Sequence, residues 1–301
     1  MLEAQIGNRL QHPNVVNIKG ADVIDRNGIT IVVISMPFYE NGSIQSKMNS
    51  LNFVDLKSAI KCVIDVLRGL EYLHESKYYH CDIKPNNILV GNNGEYILTD
   101  YGITCFSPTF TAVNPRQTYM PHVAPETVQC GVYDARTDIY ELGITAFRLM
   151  NGISLVKNDF IKDPDGFRDS VIRGKVITDS MYYPHVPNSV KRIINKAIAL
   201  DPQKERYQTA LEMRRDLERL AFVGNCTADE NGNLIAYDKS SRYRYVIEAT
   251  GKKSYNLTTF RRNMKSGIEK RFLKHCKTNL TGRQINNTLR LFLLEIITGK
   301  A

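Results

Sequence analysis

The sequence lacks the patterns that mark secreted or membrane-spanning proteins. Its 301 residues include six cysteines, but these form no C-x-x-C pair and no compact framework, which indicates reduced thiols in a cytosol. No charged-then-apolar leader follows Met1. The longest apolar runs, such as residues 29–36, are far shorter than the roughly 20 residues needed to span a bilayer. These absences predict a cytoplasmic protein with no membrane span, and the length allows one or two domains.

The net charge of +9 is concentrated at the C-terminal end of the chain. Residues 238–301 hold fifteen Lys and Arg against four acids, a net charge of +11, whereas the first 237 residues hold 25 against 27, a net charge of −2. A separate basic part is therefore predicted at the C-terminus. A basic surface of this kind favours an acidic or nucleic-acid partner, although solvated basic faces are the commoner explanation.

A polar run in the first part carries the clearest chemical signal. Asp82, Lys84 and Asn87 follow one another directly before the apolar run 88–90, and Asp100 opens D-Y-G thirteen residues after Asn87. One loop would thus hold a carboxylate, an ammonium group and an amide near a second carboxylate. Magnesium prefers oxygen ligands of this kind and keeps several waters. The alternative is an ordinary polar turn, because Asp, Pro and Asn are common in loops.

This ordered set resembles the catalytic loop H-R-D-x-x-x-x-N and the metal-binding D-F-G of protein kinases. The resemblance implies transfer of a phosphoryl group from ATP, with Mg²⁺, to a hydroxyl of a protein substrate. Asp82 would orient that hydroxyl and take its proton, Lys84 would contact the moving phosphate, and Asn87 and Asp100 would bind magnesium. A lysine two residues after the aspartate is similar to serine/threonine kinases, since tyrosine kinases usually carry A-A-R.

The first residues resemble only the end of a kinase small lobe. Glu3 stands nine residues before His12 of a His-Pro-Asn turn, where kinases place the glutamate of helix C, and Gly7 replaces the usual apolar residue one turn later. Only two residues precede Glu3, so the glycine-rich loop and the V-A-I-K lysine are expected to be missing from this chain. The open explanations are a missing N-terminus, a reduced upper lobe or a pseudokinase.

Residues 36–43 resemble the kinase hinge, which grips adenine through backbone groups. Pro37 has a carbonyl but no N–H, so it fits the accepting position. Tyr39 would donate its N–H, Met36 would be the gatekeeper, and Leu89 would face the adenine from the other side. The alternative is an edge strand closed by a turn.

The segment between D-Y-G and Ala124-Pro125-Glu126 resembles an activation segment. Thr118 is the candidate for the threonine that contacts Asp82 and Lys84. Cys81 replaces the arginine of H-R-D, which normally binds a phosphorylated activation loop, so activity is expected not to require loop phosphorylation. Candidate phosphosites that exposure explains equally well are Ser107, Thr109, Thr111 and Thr118.

Two further positions resemble buried anchors of the kinase large lobe. Asp138 is placed like the aspartate whose side chain binds the backbone of the catalytic loop, and a buried aspartate needs such partners. Arg206 is placed like the partner of Glu126 in a buried ion pair.

Apolar periodicity predicts the remaining elements. Residues 224–233, rich in Asn, Gly and acids, predict a linker. Thr281 and Gln284 are spaced as a capping box. Adjacent His275 and Cys276 have no further ligand pair, which argues against a zinc site. The predicted strands are 17–24, 29–35, 234–237, 242–249 and 254–260, and the predicted helices are 53–75, 138–150, 190–200, 210–220, 266–276 and 283–297.

These observations predict an α+β, protein kinase-like fold with a truncated β-rich N-lobe, a mainly α-helical C-lobe and a small basic α+β module. The predicted boundaries are a kinase domain over 1–222, divided at 39/40 into a partial N-lobe and a C-lobe, a linker over 223–233 and a C-terminal domain over 234–301. The predicted function is a serine/threonine kinase. A pseudokinase or scaffold, and a nucleic-acid-associated regulator acting through the basic module, remain as alternatives.

Overall fold

The computed structural model describes residues 11–26, 29–100, 104–115, 118–152 and 154–299. The predicted helix over residues 1–10, with Glu3 and Gly7, and the predicted Asn27-Gly28 turn lie outside these ranges. In the described residues a β-hairpin precedes a mainly helical body, and a second sheet follows it. None of the helices within these ranges is long and apolar enough to cross a bilayer.

The first hairpin pairs strand β1 (Gly20–Arg26) with strand β2 (Ile29–Ser35) in antiparallel register. The predicted first strand begins three residues later than expected. Val16 lies before it and donates its backbone N–H to the carbonyl of Leu98 at 2.8 Å, so this part of the chain joins the body of the protein instead of the hairpin.

Helix α1 (Leu56–Glu75) delivers the catalytic loop. The predicted helix starts at Phe53, but Asp55 caps it instead, because its carboxylate accepts the N–H of Ser58 at 3.1 Å. Strand β3 (Tyr78–Tyr79) follows directly. The loop then leads into strand β4 (Ile88–Val90), which pairs with strand β5 (Tyr96–Leu98) as the predicted hairpin.

The helical body is built around helix α3 (Ala135–Asn151), which is buried along nearly its whole length. Its N-terminus is a capping box formed by Asp134 and Thr137. The predicted helices at 138–150, 190–200 and 210–220 are confirmed with shifted ends. The other elements are strand β6 (Cys105–Phe106), which pairs with β3, and helices α2 (Pro125–Cys130), α4 (Leu155–Lys162), α5 (Pro164–Ile172), α6 (Asn188–Ala197) and α7 (Ala210–Glu218).

A six-stranded antiparallel sheet forms the C-terminal part, with β12 added beside β10. The predicted alternation holds at Tyr243 and Tyr245, which are buried, between the half-buried Arg242 and Arg244. Helix α8 (Gly282–Thr298) packs on the sheet and starts at the predicted Thr281–Gln284 capping box. The strands are β7 (Asn225–Ala228), β8 (Leu234–Tyr237), β9 (Ser241–Gly251), β10 (Ser254–Asn263), β11 (Glu269–Arg271) and β12 (Lys277–Leu280).

Two predictions for this part are wrong. Residues 266–276 do not form a helix: they hold strand β11 and a short 3₁₀ turn, because Arg271 pairs with Phe260 of β10. Residues 224–233 are not a structureless linker, because β7 pairs with β8 inside them. Both errors concern strand pairings between segments, which a local pattern does not reveal.

The C-terminal sheet is attached to the start of helix α1. The side-chain amide of Asn225 donates to the carboxylate of Asp55 at 2.6 Å, and its carbonyl oxygen accepts the N–H of Lys57 at 3.1 Å. The Lys57 ammonium also donates to the carbonyl of Val223. The sheet therefore supports the same helix whose other end leads to the catalytic loop.

Candidate active site

Asp82 lies at the centre of a short hydrogen-bonded loop. Its Oδ2 atom accepts from the Lys84 ammonium at 2.6 Å and from the Asn87 amide at 2.9 Å, and the same amide donates to the Asp82 carbonyl at 3.0 Å. The other carboxylate oxygen, Oδ1, is buried and has no hydrogen-bond partner among the described residues. A buried oxygen of this kind is costly unless a ligand or substrate group binds it.

The loop backbone is fixed by Asp138, as predicted. The Asp138 carboxylate accepts the N–H groups of His80 and Cys81, both at 3.0 Å, the hydroxyl of Tyr133 at 2.7 Å and the ring of His74 at 2.8 Å. Burial disfavours the charge on Asp138, but the His74 hydrogen bond, nearby charges and the Cys81 N–H outweigh it and lower the pKa of Asp138. The carboxylate is therefore ionised.

Three further side chains hold Ile83, the residue between Asp82 and Lys84. Its N–H donates to Glu141 at 2.8 Å, while its carbonyl accepts from Thr145 at 3.0 Å and from Nδ1 of His122 at 2.7 Å. Burial raises the pKa of Glu141 well above its usual range, and burial together with a nearby arginine lowers that of His122. Both groups therefore favour their neutral forms.

Sequence analysis missed these supporting residues, although a signal exists. Asp138, Glu141 and Thr145 are spaced i, i+3 and i+7 on one face of an otherwise apolar helix. A polar line on a buried helix needs partners. Here the catalytic loop supplies them.

Asp100 lies beside Asn87 through the backbone. The N–H of Thr99 donates to the Asn87 carbonyl at 3.0 Å, and the Thr99 carbonyl meets the ring of His80 at 3.0 Å. Asp100 itself is exposed and has a φ of 71°, a backbone conformation rare for a non-glycine residue. Tyr101 and Gly102 lie outside the described residues.

The donor set fits a magnesium ion. The amide nitrogen of Asn87 is held by Asp82, which leaves the amide oxygen as the ligand atom, and Asp100 adds a carboxylate. Hard oxygen ligands of this number suit magnesium, which keeps part of its water shell.

The predicted hinge joins the strand that follows the loop. The N–H of Val90 donates to the carbonyl of Gly42 at 2.9 Å, and Ser43 bridges Leu89. The Pro37 carbonyl and the Tyr39 N–H, the two groups predicted to meet adenine, make no hydrogen bond to the rest of the described chain. Met36 is 48 % exposed and Leu89 half-buried, so these side chains and backbone groups are available to a ligand.

The activation segment differs in one respect from prediction. Thr118 forms no hydrogen bond with Asp82 or Lys84; instead the Lys84 ammonium lies 4.8 Å from the ring centre of Tyr119. Further up the segment, Ser107 and Thr111 bond each other through side chain and backbone, and Thr109 bonds the Thr111 hydroxyl.

A cleft of about 980 Å³ lies away from this loop, between the helical body and the C-terminal sheet. Tyr182 and Tyr183 line one side, and Tyr245, Asn287 and Arg290 line the other. None of the predicted site residues borders it. The chemistry is therefore expected at the Asp82 loop and not in this cleft.

The chain belongs to the protein kinase domain family. The family model for that domain matches residues 1–214, which includes the Asp82 loop, the Asp138 anchor and the hinge. The kinase-like fold expected from the sequence is thereby confirmed.

Individual relatives are serine/threonine kinases by name. The chain is 32 % identical over 220 residues to a probable serine/threonine-protein kinase of Clostridium perfringens, covering 72 % of this chain and 31 % of the relative. It is 27 % identical over 286 residues to the serine/threonine-protein kinase PrkC of Bacillus subtilis, covering 90 % and 42 %. It is also 27 % identical over 217 residues to human ribosomal protein S6 kinase alpha-3, covering 68 % and 28 %. The chain thus spans less than half the length of these relatives.

Proposed function

We propose that this chain is a serine/threonine protein kinase that transfers the γ-phosphoryl group of ATP to a protein hydroxyl. The observation that carries the proposal is the unequal state of the two Asp82 oxygens. Oδ2 is held by Lys84 and Asn87, whereas Oδ1 is buried and unpartnered. An acceptor hydroxyl that donates to Oδ1 would satisfy this oxygen and be oriented for attack.

The proposed roles follow from the charges around this oxygen. Asp82 orients the hydroxyl and accepts its proton. Lys84, held 2.6 Å from Asp82, places a positive charge beside the site where negative charge spreads in the transition state. Asp138 and Glu141 act as positioning residues, because they fix the loop backbone without facing the substrate.

The nucleotide would lie between the hinge and Leu89. Its adenine is expected to use the Pro37 carbonyl and the Tyr39 N–H, with Met36 beside it. Asn87 and Asp100 would hold magnesium, which neutralises charge on the phosphate oxygens. The side chains of Asn87 and Asp82 are connected, so metal and acceptor sites are held together by one amide.

The decisive experiment measures phosphate incorporation into a serine/threonine peptide library by the whole chain and by Asp82→Asn. This isosteric change keeps the shape of the loop but removes the proton acceptor. We expect the signal to fall by about 10²-fold or more, while Asp165→Asn, an exposed aspartate on helix α5, keeps full activity. Equal incorporation by the wild type and Asp82→Asn would overturn the proposal.

A pseudokinase is distinguished by nucleotide binding. If the chain is a kinase, ATP with Mg²⁺ raises its melting temperature, and Asn87→Ala together with Asp100→Ala removes the magnesium dependence of that shift. A pseudokinase that has lost its grip on the phosphates shows no such shift and no phosphate incorporation.

A second candidate function concerns the C-terminal part, for which residues 234–301 are the proposed domain. Residues 261–271 are all exposed and carry five basic residues against one acid. We propose an acidic or nucleic-acid partner for this surface. Binding of a fluorescent single-stranded oligonucleotide should weaken steeply with salt and weaken further in Lys270→Glu/Arg271→Glu. Salt-independent or unaltered binding would reject this candidate.

A further inference from the structure

Two thiols come together between the catalytic loop and the start of the activation segment. Cys81 directly precedes Asp82 and is fully buried, and Cys105 opens strand β6. Tyr79 of β3 pairs with Cys105, which places Cys105 against the small apolar cluster that contains Tyr79, Cys81 and Tyr133. The Cys105 thiol lies within hydrogen-bonding reach of the Cys81 thiol. The two sulfur atoms are therefore neighbours.

The Cys81 side of this pair is rigid. Its N–H is held by Asp138 at 3.0 Å, its Sγ lies 3.5 Å from the Tyr79 carbonyl, and its φ is 68°, which only a strongly supported residue other than glycine maintains. Any covalent link must therefore be made by movement of Cys105. That residue lies in a two-residue strand, is partly exposed and directly follows Thr104.

The two thiols differ in access and in charge. Burial, reinforced by the hydrogen bond from Cys105, raises the pKa of the Cys81 thiol well above its usual range. Cys81 is thus a poor first target for an oxidant, because the thiolate is the reactive form. Cys105 is the thiol that an oxidant in solution can reach, and Cys81 is placed to resolve the product.

We propose that Cys81 and Cys105 form an oxidation site at which a peroxide closes a disulfide between the catalytic loop and the activation segment. The peroxide O–O bond breaks as the Cys105 sulfur gains an oxygen, giving a sulfenic acid and one water or alcohol. The Cys81 sulfur then attacks the Cys105 sulfur, the S–O bond breaks, and the hydroxide leaves with the Cys81 proton as water. Two thiols are oxidised and one peroxide is reduced.

The consequence for activity rests on the proposed kinase function. A disulfide brings the sulfurs to about 2.05 Å, closer than any hydrogen-bonded thiol pair. Since Asp82 adjoins Cys81, we expect the bond to displace the proposed proton acceptor. A displacement of about 1 Å can lower the rate by about a hundredfold. The modification would act as a reversible off-switch.

The first experiment maps the bond on the whole chain and needs no activity. The protein is treated with hydrogen peroxide, blocked with iodoacetamide and cleaved after glutamate, which separates Cys81 from Cys105 at Glu95 and leaves Cys130 in a third peptide. We expect a linked peptide that contains Cys81 and Cys105 and that disappears with dithiothreitol. If both thiols are recovered blocked or over-oxidised, or if Cys105 pairs with another cysteine, the proposal is wrong.

The second experiment measures phosphate incorporation before and after peroxide. We expect a fall of between about tenfold and about a hundredfold that dithiothreitol reverses. Cys105→Ser should resist peroxide, and Cys130→Ser, which removes an exposed thiol elsewhere, should remain sensitive. A mapped disulfide with unchanged activity would retain the site but overturn the switch. Absence of activity in the untreated chain would overturn the kinase proposal while the mapping result stands alone.

Discussion

Arg206 forms a two-pronged ion pair with Glu126, at 2.6 Å and 3.1 Å. The arginine side chain is 0 % exposed and the glutamate 15 % exposed. The pair connects the end of the activation segment to the loop after helix α6, 80 residues further along the chain, and confirms the pairing predicted from sequence. Arg206 also donates to the carbonyls of Ala199 and Arg136, which satisfies its remaining donors.

Removing one half of this pair should destabilise the protein strongly. Arg206→Ala leaves the Glu126 charge without its partner in a largely buried site, and we expect a loss of about 3–5 kcal/mol in the free energy of unfolding. The matched control is Arg219→Ala, since Arg219 pairs with Asp216 on the surface. That change should cost less than about 1 kcal/mol. Urea unfolding of both variants checks the difference, and similar losses would contradict it.

Lys84→Met should reduce catalysis without unfolding the protein. The ammonium touches Asp82 and faces the Tyr119 ring, and its side chain is 23 % exposed. If it stabilises transition-state charge, its loss should lower kcat by about 10²–10³-fold. Lys47→Met, which removes an exposed ammonium bound only to Asn41, is the control. The kinase assay and a melting curve on each variant separate lost chemistry from lost structure.

His185 should make the protein sensitive to acid. Burial lowers the pKa of His185 to about 3, whereas an unfolded histidine titrates near 6.5. The unfolded chain therefore takes up this proton first as the pH falls, so stability is full above about pH 6.5 and declines toward pH 3, by up to about 1.4 kcal/mol per pH unit.

His185→Phe should flatten that decline, because phenylalanine takes up no proton in the unfolded chain. The test is the free energy of unfolding measured from pH 7 to pH 4. Phe53, whose ring stacks on His185 at 4.5 Å, supplies the control. Phe53→Leu should lower stability by the same amount at each pH. Parallel curves for His185→Phe and the wild type would show that this histidine does not titrate as expected.

Asn225→Ala should weaken the attachment between the C-terminal sheet and helix α1. The change removes the hydrogen bonds to Asp55, Lys57 and Tyr237. Because unsatisfied buried groups remain, we expect a loss of about 1–3 kcal/mol. Asn231→Ala, at an exposed turn of the same sheet, should stay within about 0.5 kcal/mol of the wild type. If both variants unfold alike, the attachment contributes little.

The sequence predicted best what is encoded locally. The start of helix α8 follows from Thr281 and Gln284 alone, and the loop from Asp82 to Asn87 closes on itself within six residues. The groups that hold Ile83 from outside came from helix α3 and the activation segment, so their positions depended on the tertiary fold.

The misassigned residues 266–276 show the same limit from the other side. Their spacing resembles a helix, but Phe272 and His275 face the rings of Tyr243 and Phe292. His275 and Phe292 stack at 4.0 Å. Packing between distant segments thus overrode the local pattern.

The apolar interior runs without a break from one part of the chain to the other. Cys226, Leu257 and Leu293 of the C-terminal part belong to the same buried cluster as Leu67 and Phe147 of the kinase part. A boundary that is clear in charge and composition is thus not a boundary in cooperativity. Calorimetry should record one heat-absorption peak for the whole polypeptide, and cutting the chain after residue 222 would expose the underside of both halves to water.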